Sequence, residues 1–248
     1  WYANTYPGCR VDVGNHFYCY SFEPNPDWQE FFSRQPELQR YFASTARKYG
    51  VEARIRFNTE VQAADFDEAS GEWRVRVRAK DGAVETLRAR VLISGVGQLN
   101  RPKLPDIDGL DRFRGPAFHS ACWDHSVSLA GKRVAVIGSG ASAFQLVPEI
   151  ATQAAQVYTF QRTPQWMFPN PDYHRAVSPG ANWCFRHLPY YGRWYRFLLF
   201  WPATDGTWEG TFVDPAWPEQ ERSINAINEF TREMFTGWIR QQCGDDEA

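Results

Sequence analysis

The chain has 248 residues, 43% of them hydrophobic, enough to bury a sizeable core in one large domain or two small ones. Its formal charge of -2 argues against the basic footprint of a nucleic-acid binder. No apolar run approaches the ~20 residues of a membrane span, and no signal-peptide pattern opens the chain. Cys9, Cys19, Cys122, Cys184 and Cys243 are scattered and form no CxxC pair. They predict neither a zinc site nor a disulfide framework, and reduced thiols in a cytoplasmic setting are the default. The 11 tryptophans are read as extra core and interface area rather than as an aromatic binding box.

Residues 1–22, rich in Tyr, Gly, Cys and Asn, read as irregular loop. Pro36–Tyr49 places Leu38, Tyr41, Phe42, Ala46 and Tyr49 at helical spacing, and Gly50 follows at the position that ends a helix. Val51–Val61 has a strand-like pattern. Trp73, Val75 and Val77 then alternate with Arg74, Arg76 and Arg78, and Asp81-Gly82 supplies a hairpin turn. The arginines are expected on a solvated strand face. Val91–Ile93 reads as a buried strand running into the small residues 94–97. Residues 100–109, with Pro102 and Pro105, read as a linker. After Pro164 the texture turns to proline, Trp and Tyr, with one clear helix expected over Glu219–Ile239.

Arg133–Ile137 is a short apolar strand followed by Gly138-Ser139-Gly140-Ala141-Ser142-Ala143 and then a helical pattern interrupted by Pro148. Strand, tight turn and helix are the setting a GxGxxA loop needs to hold a dinucleotide. The first glycine makes the turn, the second lets the pyrophosphate approach the backbone, and the small third position lets helix pack on strand. Pro148 is expected to bend or shorten the helix. At the end of the next strand, Val157–Phe160, an NAD site would carry an acid. Here the chain reads Gln161-Arg162-Thr163, and Arg162 suits a 2′-phosphate, so NADP(H) is expected over NAD(H).

Just upstream stands FRGPAFHSACWD, Phe113–Asp124, which fits FxGxxxHxxxW[P/D]. Together with the glycine loop, YPGCRVD at Tyr6–Asp12, QLNRPKLPDIDGL and FQRTP, it resembles the Baeyer–Villiger monooxygenases, and the tail looks most like their 4-hydroxyacetophenone branch. The resemblance implies an α/β fold: a partial two-dinucleotide-binding-domain (Rossmann-like) flavoprotein architecture with a helical insertion. On that pattern residues 1–126 are the later part of an FAD-binding domain whose own glycine loop lies upstream. Residues 127–168 are the first half of an NADP-binding domain, and 169–248 are an incomplete helical insertion. Trp1 and the closing CGDDEA are accordingly read as the cut ends of an internal fragment, expected to be inactive alone.

The resemblance also implies chemistry. NADPH reduces FAD, O2 gives a C4a-peroxyflavin, and attack on a ketone carbonyl yields an ester or lactone. The candidate catalytic residues are Asp12, Arg10 and His119. Asp12 is placed beside the flavin, Arg10 on the nicotinamide side, and His119 on an interdomain linker, with direct proton transfer as the alternative. Trp1, Tyr2, Asp12, Tyr18 and Val61 fall where the family contacts FAD. Gly138, Ser139, Gly140, Ala141, Ser142, Ala143, Gln145, Arg162 and Thr163 fall where it contacts NADP(H). Gly14 and Ala3 depart from the pattern and leave the substrate-side loop open. The implied partners are a small ketone and O2, without nucleic acid, membrane or metal. An N- or S-oxygenating flavin monooxygenase and a non-catalytic NADP(H)-binding remnant are the competing readings.

Overall fold

The computed structural model describes residues 1–97, 99, 101–202 and 204–243, so position 98, position 100 at the start of the linker, position 203 and the closing residues 244–248 fall outside the described residues. The chain packs as two units, Trp1–Tyr41 with Arg114–Ala248, and Phe42–Phe113. Within the first unit the N-terminal segment packs with the glycine-loop segment.

Helix α1 (Gln35–Lys48) passes from the first unit into the second. The second unit is built on an antiparallel sheet of β1 (Thr59–Asp67), β2 (Glu72–Ala79) and β3 (Val84–Ala89), in that order. Alternation sets its faces, as expected: Val75 and Val77 are buried, while Arg74, Arg76 and Arg78 are exposed. Arg74 pairs with Asp67, and Arg78 with Glu60 at 2.6 Å. Solvated pairs of this kind contribute about 0–1 kcal/mol each. Gly82 takes φ +91° in the β2–β3 turn, where the Asp81 carboxylate accepts from the Ala83 amide.

Two expectations fail in this unit. Val51–Val61 is not one strand: Glu52–Arg54 forms a short 3-10 turn, Asn58 takes positive φ, and pairing begins only at Thr59. Val91–Ile93 is not a buried strand either, for all three residues are exposed and none belongs to a strand. An apolar run becomes a buried strand only where a ladder neighbour and a cover exist, and β3 stops at Ala89 with neither present among the described residues.

In the first unit the N-terminal segment folds over the start of α1. Trp28 and Leu38 are fully buried, and Asn15 and Ser33 are buried with them. The Asn15 amide donates to the Glu30 carbonyl and to the Ser33 hydroxyl, and its oxygen accepts from the Ser33 amide at 2.8 Å. A loop can be buried in this way only if its polar groups find partners.

The αβ segment follows as expected: β4 (Arg133–Ile137), α2 (Ala141–Ala151) and β5 (Gln156–Phe160), with β4 and β5 parallel and Ile137 opposite Phe160. Leu146 and Ile150, one turn apart on α2, bury against Tyr6 and Cys9, with Trp123, Val134, Val136 and Val157 packed around them. The helix runs through Pro148 and ends three residues later.

The remainder holds more helix than the sequence suggested. Ser178 caps α3 (Pro179–His187) by accepting from the Ala181 amide, with Pro179 in the first turn. Next come α4 (Tyr191–Phe200) and the single turn α5 (Asp205–Trp208). The last helix, α6, spans Ala226–Cys243 rather than Glu219–Ile239. Its start is set by Asn225, whose side-chain oxygen accepts from the Asn228 amide at 2.8 Å.

Candidate functional site

The glycine loop sits where a parallel sheet offers its binding edge, beyond the C-terminal ends of β4 and β5. Gly138 has φ +109°, a conformation that favours glycine, and its amide donates to the Phe160 carbonyl at 2.9 Å. That bond ties the loop to the end of β5, where Arg162 and Thr163 follow. The Ser139 hydroxyl donates to the Thr163 carbonyl at 3.4 Å. A Cβ built on Gly138 or Gly140 would meet nothing within 4 Å. The space above both glycines is therefore open to an approaching phosphate.

Helix α2 begins on Gly140 with no side-chain cap and no acid in its first turn. No side chain caps its leading amides, and a helix dipole favours an anion at such an end. Arg162 is exposed nearby in the chain, and residues 161–163 hold no carboxylate. The structure thus brings Gly138 to Ala143, Arg162 and Thr163 to one edge.

The YPGCRVD segment lies against the flank of α2. Gly8 explains its own presence: it has φ +77°, and a Cβ there would stand 2.4 Å from the Gln145 carbonyl oxygen and 2.7 Å from the Glu149 side chain. Only a glycine allows backbone and helix to come this close. The Tyr6 hydroxyl donates to Gln145 Oε1 at 2.8 Å. Burial raises the pKa of Tyr6 above the ordinary phenol range, opposed by a hydrogen bond with the Ser142 side chain. Tyr173 approaches from the other side and is also raised by burial, with Asp12 among the charges it feels.

Arg10 is turned inward. Its guanidinium is 1% exposed, pairs with Glu30 at 2.9 Å, donates to the Tyr173 carbonyl at 2.8 Å and lies over the Tyr173 ring. Asp12, two residues on, is exposed. Trp1 and Tyr18 meet edge to face at 5.9 Å, with the indole N–H donating to the Tyr18 hydroxyl. Tyr2 is almost fully exposed. Val61 lies in the other unit, exposed beside the β1 bulge.

His119 Nδ1 accepts from the Ala121 amide at 3.0 Å and so caps the turn Ser120–Cys122, which leaves its proton on Nε2. Phe118 stacks edge-on against Trp123, which packs on the core below α2.

Glu30, Tyr173 and His16 were not singled out from the sequence. Glu30 and Tyr173 gave no local signal, because they meet Arg10 from 20 and 163 residues away. His16 is a lone residue in a loop. It is buried, stacks on Phe185 at 3.9 Å between Tyr195 and Phe31, and neither ring nitrogen has a hydrogen-bond partner among the described residues. Burial pushes its pKa down to about 4.

A strand, a tight glycine turn, an uncapped helix and a basic residue past the next parallel strand define a dinucleotide-binding α/β segment. The family model for flavin-binding monooxygenase-like proteins matches residues 2–174. The chain belongs to that family.

It is 42% identical over 200 residues to a Baeyer–Villiger monooxygenase of Pseudomonas aeruginosa, covering 81% of this chain and 37% of that protein. It is 43% identical over 242 residues to the uncharacterized monooxygenase y4iD of Sinorhizobium fredii, covering 98% of this chain and 36% of that protein. Among solved structures, OTEMO in complex with FAD and NADP is similar with a TM-score of 0.78 and 31% identity, over 99% of this chain and 50% of the other. The closed form of cyclohexanone monooxygenase is similar with a TM-score of 0.68 and 32% identity, over 79% of this chain and 36% of the other. The chain spans 36–37% of the length of these curated relatives.

Proposed function

We propose that this chain is the NADP(H)-binding portion, with the adjoining flavin-side segment, of an NADPH- and O2-dependent Baeyer–Villiger monooxygenase. Such an enzyme inserts oxygen beside a ketone carbonyl and gives an ester or lactone. The observation that carries the reading is the edge formed by Gly138 to Ala143 with Arg162 and Thr163: open above both glycines, uncapped at the helix, and free of an acid at the end of β5.

In this reading the leading amides of α2 hold the pyrophosphate, and Arg162 pairs with the 2′-phosphate. The nicotinamide and flavin, when bound, supply hydride and oxygen chemistry, and the protein supplies position and exclusion of water. Trp1, Tyr2, Asp12 and Tyr18, all in the first unit, supply side chains to the FAD side. Among the described residues there is one strand–glycine turn–helix unit, and it serves NADP(H), so FAD has no pyrophosphate cradle here. The chain alone is therefore expected to retain no flavin after incubation with FAD and removal of the excess. The division at about 126 and 168 into FAD, NADP and helical parts belongs to this reading.

Asp12 is the exposed acid of the flavin-side segment and lies beside the flavin, where its charge tunes a catalytic arginine. His119 caps a turn of the segment just before the glycine loop, which supports the linker role, with direct proton transfer through its Nε2–H as the alternative. The inward guanidinium of Arg10 supports a structural role for that side chain.

The test is product analysis with the protein that contains this sequence, NADPH and O2, offering a ketone and a tertiary amine side by side. Ester or lactone from the ketone is the expected result. Amine oxide with untouched ketone would replace the proposal with the N-oxygenating reading.

A further inference from the structure

Gln145 points from the middle of α2 at the backbone of Arg10, and its amide makes four hydrogen bonds. Oε1 accepts from the Tyr6 hydroxyl at 2.8 Å and the Arg10 amide at 3.3 Å. Nε2 donates to the Arg10 carbonyl at 2.9 Å and the Tyr173 hydroxyl at 2.7 Å. A primary amide has two acceptor sites and two N–H donors, so its capacity is full. Arg10 also decides which way the amide faces. Its N–H must meet the oxygen and its C=O the nitrogen, as a neighbouring strand would offer them.

The surroundings make this contact a strut. Gly8 lets the segment approach α2 to a distance no Cβ allows. Tyr6 contacts both Gln145 and Ser142, which belongs to the glycine loop itself. Asp12 follows Arg10 by two residues. We infer that Gln145 is a positioning residue, not a nucleotide ligand: it pins the Tyr6–Asp12 segment to α2, so that the glycine loop and Asp12 move together. A nucleotide reaching for its amide would have to break one of four protein bonds. This rests on the nucleotide reading of the glycine loop above.

The test compares the wild-type chain with Gln145→Glu and Gln145→Met by amide hydrogen exchange resolved to single residues, with and without NADP+, and by calorimetric titration with NADP+. Glu keeps an oxygen for the Arg10 N–H and loses the donor to the Arg10 C=O. Met keeps the volume and loses all four bonds. Exchange at the Arg10 amide should rise at least about tenfold in Met, the scale set by losing a buried hydrogen bond, and less in Glu. Amides of α1 and β5 should stay protected in both. NADP+ affinity should stay within about threefold of wild type, since no ligand bond is removed. NADP+ should slow exchange at Arg10–Asp12 in wild type and not in Met.

Unchanged Arg10 exchange would overturn the strut, and an affinity loss of about tenfold or more would overturn the inference by making Gln145 a nucleotide ligand. Tyr173→Phe guards against a misfolded Met variant. It leaves both Arg10 bonds in place, so Arg10 exchange should stay near wild type, and a rise equal to that in Glu would count against the strut. If the wild-type chain takes up no NADP+, the nucleotide reading is at fault, and the exchange comparison still decides whether the strut exists.

Discussion

The N-terminal loop and the αβ segment solve burial in opposite ways. Around Asn15 and Ser33 polar groups are buried and find one another, so an irregular loop becomes as enclosed as a helix core. In β4–α2–β5 the secondary structure is regular, yet Ile137, Phe144, Tyr158 and Phe160 are exposed. Regularity does not bring burial by itself. A parallel sheet needs cover on both faces, and here one flank of α2 is covered by the N-terminal loop while the other surfaces stay open. The polar surface follows the same division: Gln145 is saturated by protein, and the helix start about one turn earlier has no side-chain cap.

That contrast can be broken first at its seam. Gly8→Ala drives a Cβ into the α2 backbone at an unfavourable φ. It should cost about 3 kcal/mol or more, read as a lower midpoint in urea unfolding. A small effect would mean that the loop and α2 are not held at this distance.

The enclosed side should also be sensitive to acid. His16 is kept neutral by burial, with a pKa of about 4 against an ordinary value of 6.5. Below about 6.5 the unfolded chain takes up a proton that the native chain refuses. Stability should therefore decline as pH falls from about 6.5 to about 4, by ~1.4 kcal/mol per unit and ~3 kcal/mol in all. His16→Phe keeps the stacking and should flatten that slope in urea melts run between pH 7 and 4.5.

Asn15→Ala should cost roughly 2 kcal/mol, because it strands the buried Ser33 amide, and it should not alter nucleotide affinity. The surface pair of Arg186 with Asp27 marks the lower end of the scale. Asp27→Asn should shift stability by less than about 1 kcal/mol, an effect that salt removes.

How far the sequence shows these things depends on how local their causes are. The glycine loop, α2 and the β2–β3 hairpin were legible, since their signals lie in adjacent residues: Gly138-Ser139-Gly140, the Val75/Val77 alternation, Asp81-Gly82. The YPGCRVD match drew attention to Tyr6–Asp12 without showing why Gly8 is there, because the obstacle is the carbonyl of residue 145. The donors and acceptors around Arg10 come from residues 30, 145 and 173, so no window of the sequence contains them. Helices α3 and α4 were hidden by aromatic residues on several faces, which blur the periodicity, although Ser178-Pro179 marks a start. Val91–Ile93 misled because its apolar run carries no information about whether a neighbour strand pairs with it.

The most direct test of the central claim, that the open edge of the αβ segment is a site for NADP(H), is a calorimetric titration of the chain with NADP+ and with NAD+, repeated on Arg162→Ala. NADP+ should bind at least about tenfold tighter than NAD+, and the substitution should remove that difference while leaving NAD+ affinity unchanged. Equal affinities in the wild type, or tighter binding of NAD+, would contradict the account.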